Sequence, residues 1–200
     1  MDIIDKAIRY IIENNPSNHV PYHGIDHLFE VYSFAKTIFI NQPRNMWENI
    51  NEEALYLACL FHDYNHAGKM IDDSINIQNA IKGYDDFLNY IGTLDVDVEM
   101  VKYLIECTQF PSNINKNDLT FEGKIIQDAD MCYLFQDIAI VKLYTGLRNE
   151  FGQDLDTFLD GQKKFFDSIV FNTKYCRKLW ESYYYHIRVN EIETLRDAKM

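Results

Sequence analysis

The sequence predicts an all-α protein, a helical bundle that forms a single domain over residues 1–200. The chain has only eight glycines and four prolines in 200 residues, about half of average usage, and the tight hairpins of many-stranded folds depend on these residue types. Hydrophobic residues make up 47% of the chain, which excludes wholesale disorder. A chain of this length can bury a sizeable core but is short for two domains.

Apolar side chains recur every three to four residues along most of the chain, which is the helical period. Residues 2–14 carry six isoleucines and alanines on one stripe, and a second helix starts near Ile25. Asn51, followed by two glutamates, is a typical N-cap for a third helix that runs through Phe61. The polar stretch 111–120 predicts a loop. Further helices are predicted over residues 72–87, 96–107, 121–148, 155–170 and 173–195.

The charge balance limits the partners. There are 19 lysines and arginines against 31 aspartates and glutamates, so the formal net charge is −12. A chain this acidic repels a nucleic-acid backbone and an anionic membrane surface unless a local patch reverses the sign. We therefore expect no long nucleic-acid partner and no membrane partner, and a phosphate substrate would need a local source of positive charge.

Four cysteines, Cys59, Cys107, Cys132 and Cys176, lie far apart and form no CxxC pair, which excludes a zinc knuckle or a thioredoxin motif. Each lies in an apolar run, so we expect buried thiols in a reducing compartment. The absence of a secretory signal and of an apolar stretch of membrane-spanning length predicts a cytoplasmic protein. The aromatic-rich terminal helices are compatible with a homodimer.

Four of the six histidines fall into two short strings, residues 22–27 (YHGIDH) and 61–66 (FHDYNH). In each string the two histidines are four residues apart, and on a helix that spacing puts both imidazoles on one face. Asp63 directly follows His62, so it lies about 100° around the same helix and can reach another side of one cation. A mixed histidine and aspartate set suits a divalent ion. A single histidine is more often a surface or core residue, but two such strings predict a metal site.

The order of these residues resembles the metal-dependent phosphohydrolases of the HD superfamily, and most of all the class I cyclic nucleotide phosphodiesterases. That family shows Tyr-His-Asn-x-x-His, then His-Asp-x-x-His-x-Gly, and later Ala-Asp. This chain has residues 22–27, then residues 62–68 (HDYNHAG), then Ala129 and Asp130, with Gly24 in place of the family's asparagine. Residues 162–167 (QKKFFD) are similar to the family's Gln-x-x-Phe-Ile-Asp segment. The chain is shorter than the family's usual catalytic domain, so some family helices are missing.

The resemblance implies a role for each matching residue. His27, His62, Asp63 and Asp130 would hold a tightly bound metal, and Asp63 would also bridge to a second one. His23 would be the general acid that protonates the leaving alkoxide, and His66 would contact the bridging hydroxide or the substrate phosphate. Gln162 would hydrogen-bond the purine edge, and Phe165 would stack on it. The implied cofactors are one or two divalent ions: zinc, manganese, magnesium or iron.

Asp128 competes with Asp130 for the role of metal ligand. Two residues apart on a helix means about 200° apart, so both side chains cannot point into one site. The family's Ala-Asp pair favours Asp130, which leaves Asp128 as a supporting or surface acid. Among other candidates, Asp72 and Asp73 are predicted to be solvated helix acids, and Phe110 is predicted to be a core residue rather than a pocket wall.

The predicted function is hydrolysis of a nucleotide-like small phosphoester, and the sharpest version is a 3′,5′-cyclic nucleotide opened to the 5′-monophosphate. One alternative is an HD-type hydrolase of nucleoside mono- or triphosphates. With six arginines and thirteen lysines, the chain offers few cationic contacts for that extra charge. Another alternative is a non-catalytic, metal-stabilised binding module, but retention of His23, which is not needed to hold metal, argues against it.

Overall fold

The computed structural model describes residues 2–92 and 95–198, and these residues form helices joined by turns and loops, with no β-strand among them. The prediction of an all-α fold is therefore confirmed. The helices are α1 (Ile3–Asn14), α2 (Ile25–Ile40), α3 (Glu52–Phe61), α4 (Asp73–Ile91), α5 (Val98–Glu106), α6 (Phe121–Asp130), α7 (Ala139–Lys142), α8 (Arg148–Glu150), α9 (Leu155–Ser168), α10 (Lys174–Leu179) and α11 (Tyr185–Asp197). Short 3₁₀ turns cover Arg44–Asn49 and Cys132–Phe135. The π-helical segments Leu143–Leu147 and Trp180–Tyr184 join α7 to α8 and α10 to α11.

Most of the longer helices begin at a polar side chain that accepts a hydrogen bond from a backbone N–H of the first turn, which satisfies a donor that has no intrahelical partner. These caps are Asp2, Asn51, Asp72, Asp97, Thr120, Asp154 and Thr173. Helix α2 differs, because its N-cap is Gly24 and no side chain caps it. A Cβ atom at Gly24 would lie 2.3 Å from the Val20 carbonyl oxygen. The close approach of the preceding loop therefore requires glycine where the resembled family has asparagine.

Helix α3 lies at the centre of the core. Seven of its ten residues are fully buried: Ala54, Leu55, Leu57, Ala58, Cys59, Leu60 and Phe61. The helix packs against α1, α2, α4, α5 and α6, and a helix that is apolar on nearly every side is stable only when other helices surround it. The C-terminal end of α3 therefore delivers the residues that follow it, beginning with His62, into the interior of the bundle.

The predicted helix over residues 121–148 is wrong in one respect, because the chain leaves the helix at Asp130 and resumes only at Ala139. Between them, a 3₁₀ turn buries four consecutive side chains, Cys132–Phe135. An α-helix on the edge of a core buries one stripe rather than four neighbours in a row, so the irregular turn buries more apolar surface. It also leaves Asp130 at a helix end.

The four cysteines are free and buried, as predicted from their apolar surroundings. The prediction of a reducing compartment is not tested by this observation. Within residues 2–92 and 95–198, no helix is both long and apolar enough to cross a bilayer. Buried apolar side chains from Ile3 to Ile192 form a connected core, and most of the buried polar groups lie around the two clusters described next or cap a neighbouring helix.

Candidate metal centre and acid–base pair

The two histidine strings each straddle the end of a helix, so the prediction that both histidines of a string lie on one helical face is wrong. His23 precedes α2, whereas His27 lies in its first turn. His62 immediately follows α3, and His66 lies beyond a turn that contains Asn65, a non-glycine residue with a φ of 57°. Because the chain changes direction inside each string, the two histidines of a string point to different places.

The structure pairs the histidines across the strings. His27 and His62 converge with Asp63 and Asp130, and the four donor atoms all lie within 4.8 Å of one another. His23 and His66 converge with a glutamate, Glu150, in a second cluster. We call these the metal cluster and the acid–base cluster.

The metal cluster has the dimensions of a cation site. His27 Nε2 lies 3.1 Å from Asp130 Oδ1 and 3.3 Å from Asp63 Oδ2. His62 Nε2 lies 3.2 Å from the same Asp63 oxygen and 3.4 Å from the same Asp130 oxygen. A cation bonded to nitrogen and oxygen at about 2.0–2.2 Å brings neighbouring donor atoms to roughly 3.0–3.5 Å of one another. Two carboxylates and two neutral imidazoles also balance a divalent charge, so the donor set fits a divalent ion.

The tautomer of His62 and the charge of the two carboxylates suit the same role. His62 Nδ1 donates to the Cys59 carbonyl at 2.9 Å, which fixes the tautomer and leaves Nε2 as the free donor atom. Burial raises the pKa of an aspartate, but in Asp63 and Asp130 the neighbouring histidines outweigh it and hold the pKa of each carboxyl below its usual range. Burial alone would lower the pKa of His27, but the hydrogen bonds to both aspartates raise it to about 8, so a cation that binds here would displace a proton from this ring. The carboxylates therefore stay ionised.

Exposure shows from which side the metal cluster can be reached. The side chains of His27 and His62 are 6% and 1% exposed, whereas those of Asp63 and Asp130 are 14% and 28% exposed. The two histidines thus form the floor, and the aspartates face the opening. The metal cluster is therefore open to solvent on the carboxylate side.

Asp128 does not compete for the metal. Its carboxylate accepts hydrogen bonds from the backbone N–H groups of Asn172 and Thr173, both at 2.7 Å, where α10 begins. Its burial, with 1% exposure, raises its pKa against the effect of these bonds. The structure therefore places Asp130 beside the histidines, and Asp128 is neither a surface acid nor a neighbour of the metal cluster but a link between α6 and α10.

Glu150 organises the acid–base cluster, and sequence reasoning missed it. Its Oε2 accepts from His23 Nδ1 at 2.6 Å, and its Oε1 accepts from the backbone N–H groups of His23, at 3.1 Å, and Tyr22. Burial raises the pKa of a glutamate, but the bonds from His23 and the backbone outweigh it and lower the pKa of Glu150. Glu150 lies 127 residues from His23 at the end of α8, and no local pattern in the sequence marks it.

His66 completes the acid–base cluster as a neutral imidazole. Its ring stacks on that of His23 with the centroids 3.8 Å apart. The Gly68 N–H donates to His66 Nδ1 at 3.1 Å, so the ring proton is on Nε2. Burial lowers the pKa of His66, which keeps the ring neutral. The donor atoms of this cluster also lie close enough together to hold a cation, but a cation could bind His66 Nε2 only after that nitrogen had lost its proton.

Three asparagines hold the turn that carries His66. Asn65 N–H donates to Asn15 Oδ1 at 2.9 Å, and Asn79 Nδ2 donates to the Asn65 carbonyl at 3.2 Å. On the other side of His66, Ala67 N–H donates to Asn76 Oδ1 at 3.1 Å. These bonds come from two other parts of the chain, Asn15 after α1 and the first two turns of α4, so the position of His66 is set by tertiary contacts rather than by helix geometry.

The two residues expected to contact a base lie on α9. Gln162 is buried, and its Oε1 has no hydrogen-bond partner among the described residues. Phe165 is partly exposed, and its ring contacts are with Phe110, at a centroid distance of 6.0 Å, and with Phe166. The structure therefore brings neither residue into the metal cluster or the acid–base cluster.

Comparison with known proteins gives one match. The family model for the HD domain matches residues 24–133, which is more than half of the chain. The matched range includes all four residues of the metal cluster and His66, but not His23 or Glu150. No curated protein and no solved structure matches the chain.

Proposed function

This chain belongs to the HD domain family, whose members are generally metal-dependent hydrolases, and we propose on that premise that it is a divalent-metal-dependent phosphohydrolase acting on a nucleotide-like phosphoester. In its sharpest form, the substrate is a 3′,5′-cyclic nucleotide and the product is the 5′-monophosphate. The alternative within the same class is hydrolysis of nucleoside mono- or triphosphates.

One observation carries this proposal, which is the division of the histidines into two neighbouring clusters. A module that only bound metal for stability would need His27, His62, Asp63 and Asp130. It would have no use for a second histidine pair whose ring nitrogen is held by a buried carboxylate at 2.6 Å. A buried carboxylate that orients an imidazole is the usual arrangement for a proton-transfer catalyst.

The roles of the chain's own residues follow from their hydrogen bonds. Bound in the metal cluster, a divalent cation would supply Lewis-acid stabilisation of the phosphoryl oxygens and activation of water. Glu150 accepts from His23 Nδ1, so His23 Nε2 is the atom that delivers a proton to the leaving oxygen when the ring is protonated. Neutral His66 offers its Nε2–H to an anionic oxygen of the substrate. The rings of His23 and His27 lie 5.9 Å apart between centroids, which supports a joint action of the two clusters on one substrate.

The acidic composition supports this arrangement rather than opposing it. Asp63 and Asp130 belong to the negative charge of the chain, and their lowered pKa values keep them ionised as attractors of a cation. The bound cation would then supply the local positive charge that a phosphate needs. Lys69, three residues after His66, is exposed and adds no buried positive charge beside the acid–base cluster, which favours a diester with one negative charge over a monoester or a triphosphate.

A base-binding role for Gln162 and Phe165 is part of the proposal. The buried Gln162 Oε1 has no hydrogen-bond partner within residues 2–92 and 95–198, and an unpaired buried acceptor is costly unless a ligand or water supplies a donor. An exocyclic amino group of a base is such a donor. Phe165 lies three residues later on the same helix, so the two side chains share one face of α9.

The test combines metal content with a substrate screen. Purified protein is loaded with zinc, manganese, magnesium or iron, and hydrolysis of cyclic AMP, cyclic GMP and nucleoside mono- and triphosphates is measured. Monophosphate formed from a cyclic nucleotide supports the diesterase. Inorganic phosphate or pyrophosphate released from nucleoside phosphates assigns the alternative. Full metal occupancy with no turnover on any of these substrates would refute the enzymatic proposal and leave a metal-stabilised binding module.

The His23→Ala variant tests the general acid, with the exposed His186→Ala as the matched control. We expect His23→Ala to keep its metal and to lose most turnover on substrates with poor leaving groups, because only those need a proton in the transition state. An activated aryl phosphodiester should be affected much less. If both kinds of substrate suffer equally, the role of His23 is not proton donation.

A further inference from the structure

Phe110 is an exposed aromatic residue at a position that the sequence assigned to the core. It lies in the segment between α5 and α6 and exposes 68% of its surface. A single exposed apolar side chain is common in soluble proteins. Phe110 differs from such residues because both its ring and its backbone are fixed.

The ring of Phe110 packs edge-on against Phe165. Their centroids are 6.0 Å apart and the ring planes meet at 87°, which is a favourable arrangement for two aromatic rings. Phe165 is itself partly exposed and lies one helical turn beyond Gln162. The contact therefore adds a second ring to the face of α9 that carries the unpaired Gln162 oxygen.

The backbone of Phe110 is tied to the turn that carries His66. The Phe110 N–H donates to Asp73 Oδ2 at 2.7 Å, and the other oxygen of Asp73 accepts from Asn76 Nδ2 at 3.1 Å. Asn76 Oδ1 in turn accepts from the N–H of Ala67, the residue after His66. Asp73 is thus not the solvated helix acid that the sequence suggested, but a bridge between the Phe110 loop and the acid–base cluster.

We propose that Phe110, positioned by Asp73, forms with Phe165 an aromatic surface that binds the planar base of the substrate. This inference rests on the proposed function and specifies its substrate as a phosphoester that carries a base. Stacking on an aromatic side chain lowers the free energy of a bound base, and this holds for every base because each has a flat aromatic face. A phosphate gains nothing from two phenyl rings, so the surface serves the base end of the substrate, and the bridge through Asp73 fixes its distance from His66.

Phe110→Leu tests the surface, because leucine keeps an apolar side chain but removes the aromatic face. KM and kcat are measured for cyclic AMP and for the same cyclic ribose phosphate without a base. If the protein prefers monoesters, AMP and ribose 5-phosphate replace this pair. We expect KM for the nucleotide to rise about tenfold, equivalent to about 1.4 kcal/mol, with kcat little changed. KM for the substrate without a base should stay within about twofold.

Tyr90→Leu is the matched control. Tyr90 is 65% exposed and lies near the opposite end of α4 from Asp73, about 26 Å away at 1.5 Å per residue. We expect this variant to leave both KM values unchanged. An equal rise of KM for both substrates in Phe110→Leu, or no rise for either, would overturn the proposal.

Asp73→Ala tests the positioning role, with the exposed Asp86→Ala on the same helix as its control. If Asp73 acts through Phe110, the Asp73→Ala variant should show a raised KM for the nucleotide and an unchanged KM for the substrate without a base. In the double variant, Asp73→Ala should add little to the effect of Phe110→Leu. A full additive effect would show that Asp73 does not act through Phe110.

Calorimetric binding of AMP and of ribose 5-phosphate to the metal-loaded protein repeats the comparison without turnover. A wild-type protein that hydrolyses none of the phosphoesters refutes the proposed function. A wild-type protein that binds AMP no more tightly than ribose 5-phosphate refutes the aromatic surface, whatever its activity.

Discussion

Replacing Glu150 with alanine should separate proton transfer from metal binding. The substitution removes the acceptor of His23 Nδ1 and of two backbone N–H groups, those of Tyr22 and His23. It touches none of the four residues of the metal cluster. Metal content should therefore stay at the wild-type level, while the His23 ring loses the contact that sets its tautomer and orientation.

The size of the effect follows from the contacts that remain. Replacing the orienting carboxylate of a catalytic triad costs about 10⁴-fold in kcat, whereas loss of a supporting partner of a metal ligand costs roughly 10- to 100-fold. The His23 ring still stacks on His66 at 3.8 Å, which preserves part of its orientation. We therefore expect kcat to fall about 100- to 1,000-fold, or roughly 3–4 kcal/mol in activation free energy, for a substrate with a poor leaving group.

The assay compares a nucleotide with an activated aryl ester in Glu150→Ala, Glu150→Gln and the exposed control Glu13→Gln, with metal content measured in each. The glutamine retains an oxygen for the two backbone N–H groups, so Glu150→Gln should be the more stable variant but still lose turnover on the nucleotide. Loss of metal from Glu150→Ala would refute the separation of the two clusters. Wild-type turnover in both variants would refute the role of Glu150 in positioning His23.

Four further outcomes are expected. Asp63→Ala should lose both metal and activity, because Asp63 Oδ2 faces both histidines of the metal cluster; a fully active variant would contradict the assignment. Asp128→Ala should lower the free energy of unfolding by about 2–4 kcal/mol, since two buried N–H groups lose their acceptor, but should keep its metal; metal loss would show that Asp128 is a ligand after all. Gly24→Ala should destabilise the protein by about 1–3 kcal/mol, because its Cβ would lie 2.3 Å from a backbone oxygen; Gly161→Ala, with open space around its Cβ, is the control, and equal melting temperatures would contradict the close approach. The lowered pKa of Glu150 predicts that its carboxylate stabilises the fold above pH 4.5, the ordinary pKa of a glutamate, and that this contribution disappears as the pH falls through the lowered pKa. The difference in melting temperature between wild type and Glu150→Gln should therefore become smaller below pH 4.5. A difference that becomes larger would show that the pKa of Glu150 is raised and not lowered.

The fold was predictable because the patterns that specify helices lie within short stretches of the sequence. The helical period and the scarcity of glycine and proline specify helices wherever they occur, and caps such as Asn51 and Thr120 mark where helices begin. The break after Asp130 was not predictable in the same way. Residues 121–148 have apolar residues compatible with a continuous helix, and only packing shows that four consecutive side chains of this stretch must be buried together.

The residue types of the candidate site could be predicted from the sequence, but the division of its histidines between the metal cluster and the acid–base cluster could not. Histidine and aspartate at short spacing bring His27, His62 and Asp63 to attention as metal-binding types, whereas Asp130 is implied only by the resemblance to the HD superfamily. Glu150 has no such spacing, since its partner His23 lies 127 positions away. The bonds that hold His66 in place likewise come from asparagines in other segments. Long-range hydrogen bonds of this kind leave no periodic trace in a single sequence.

The error about the histidine spacing shows how the two clusters arise. Four residues on a continuous helix would put both histidines of a string on one face and direct them to the same ion. Here α2 begins only after Gly24, between the two histidines of the first string, and Asn65, at a φ of 57°, turns the chain between the two histidines of the second. Asparagine tolerates this left-handed conformation better than most residues. The turns direct one histidine of each string to the metal cluster and the other to the acid–base cluster, so a sequence pattern typical of metal binding also supplies the proposed proton donor, His23.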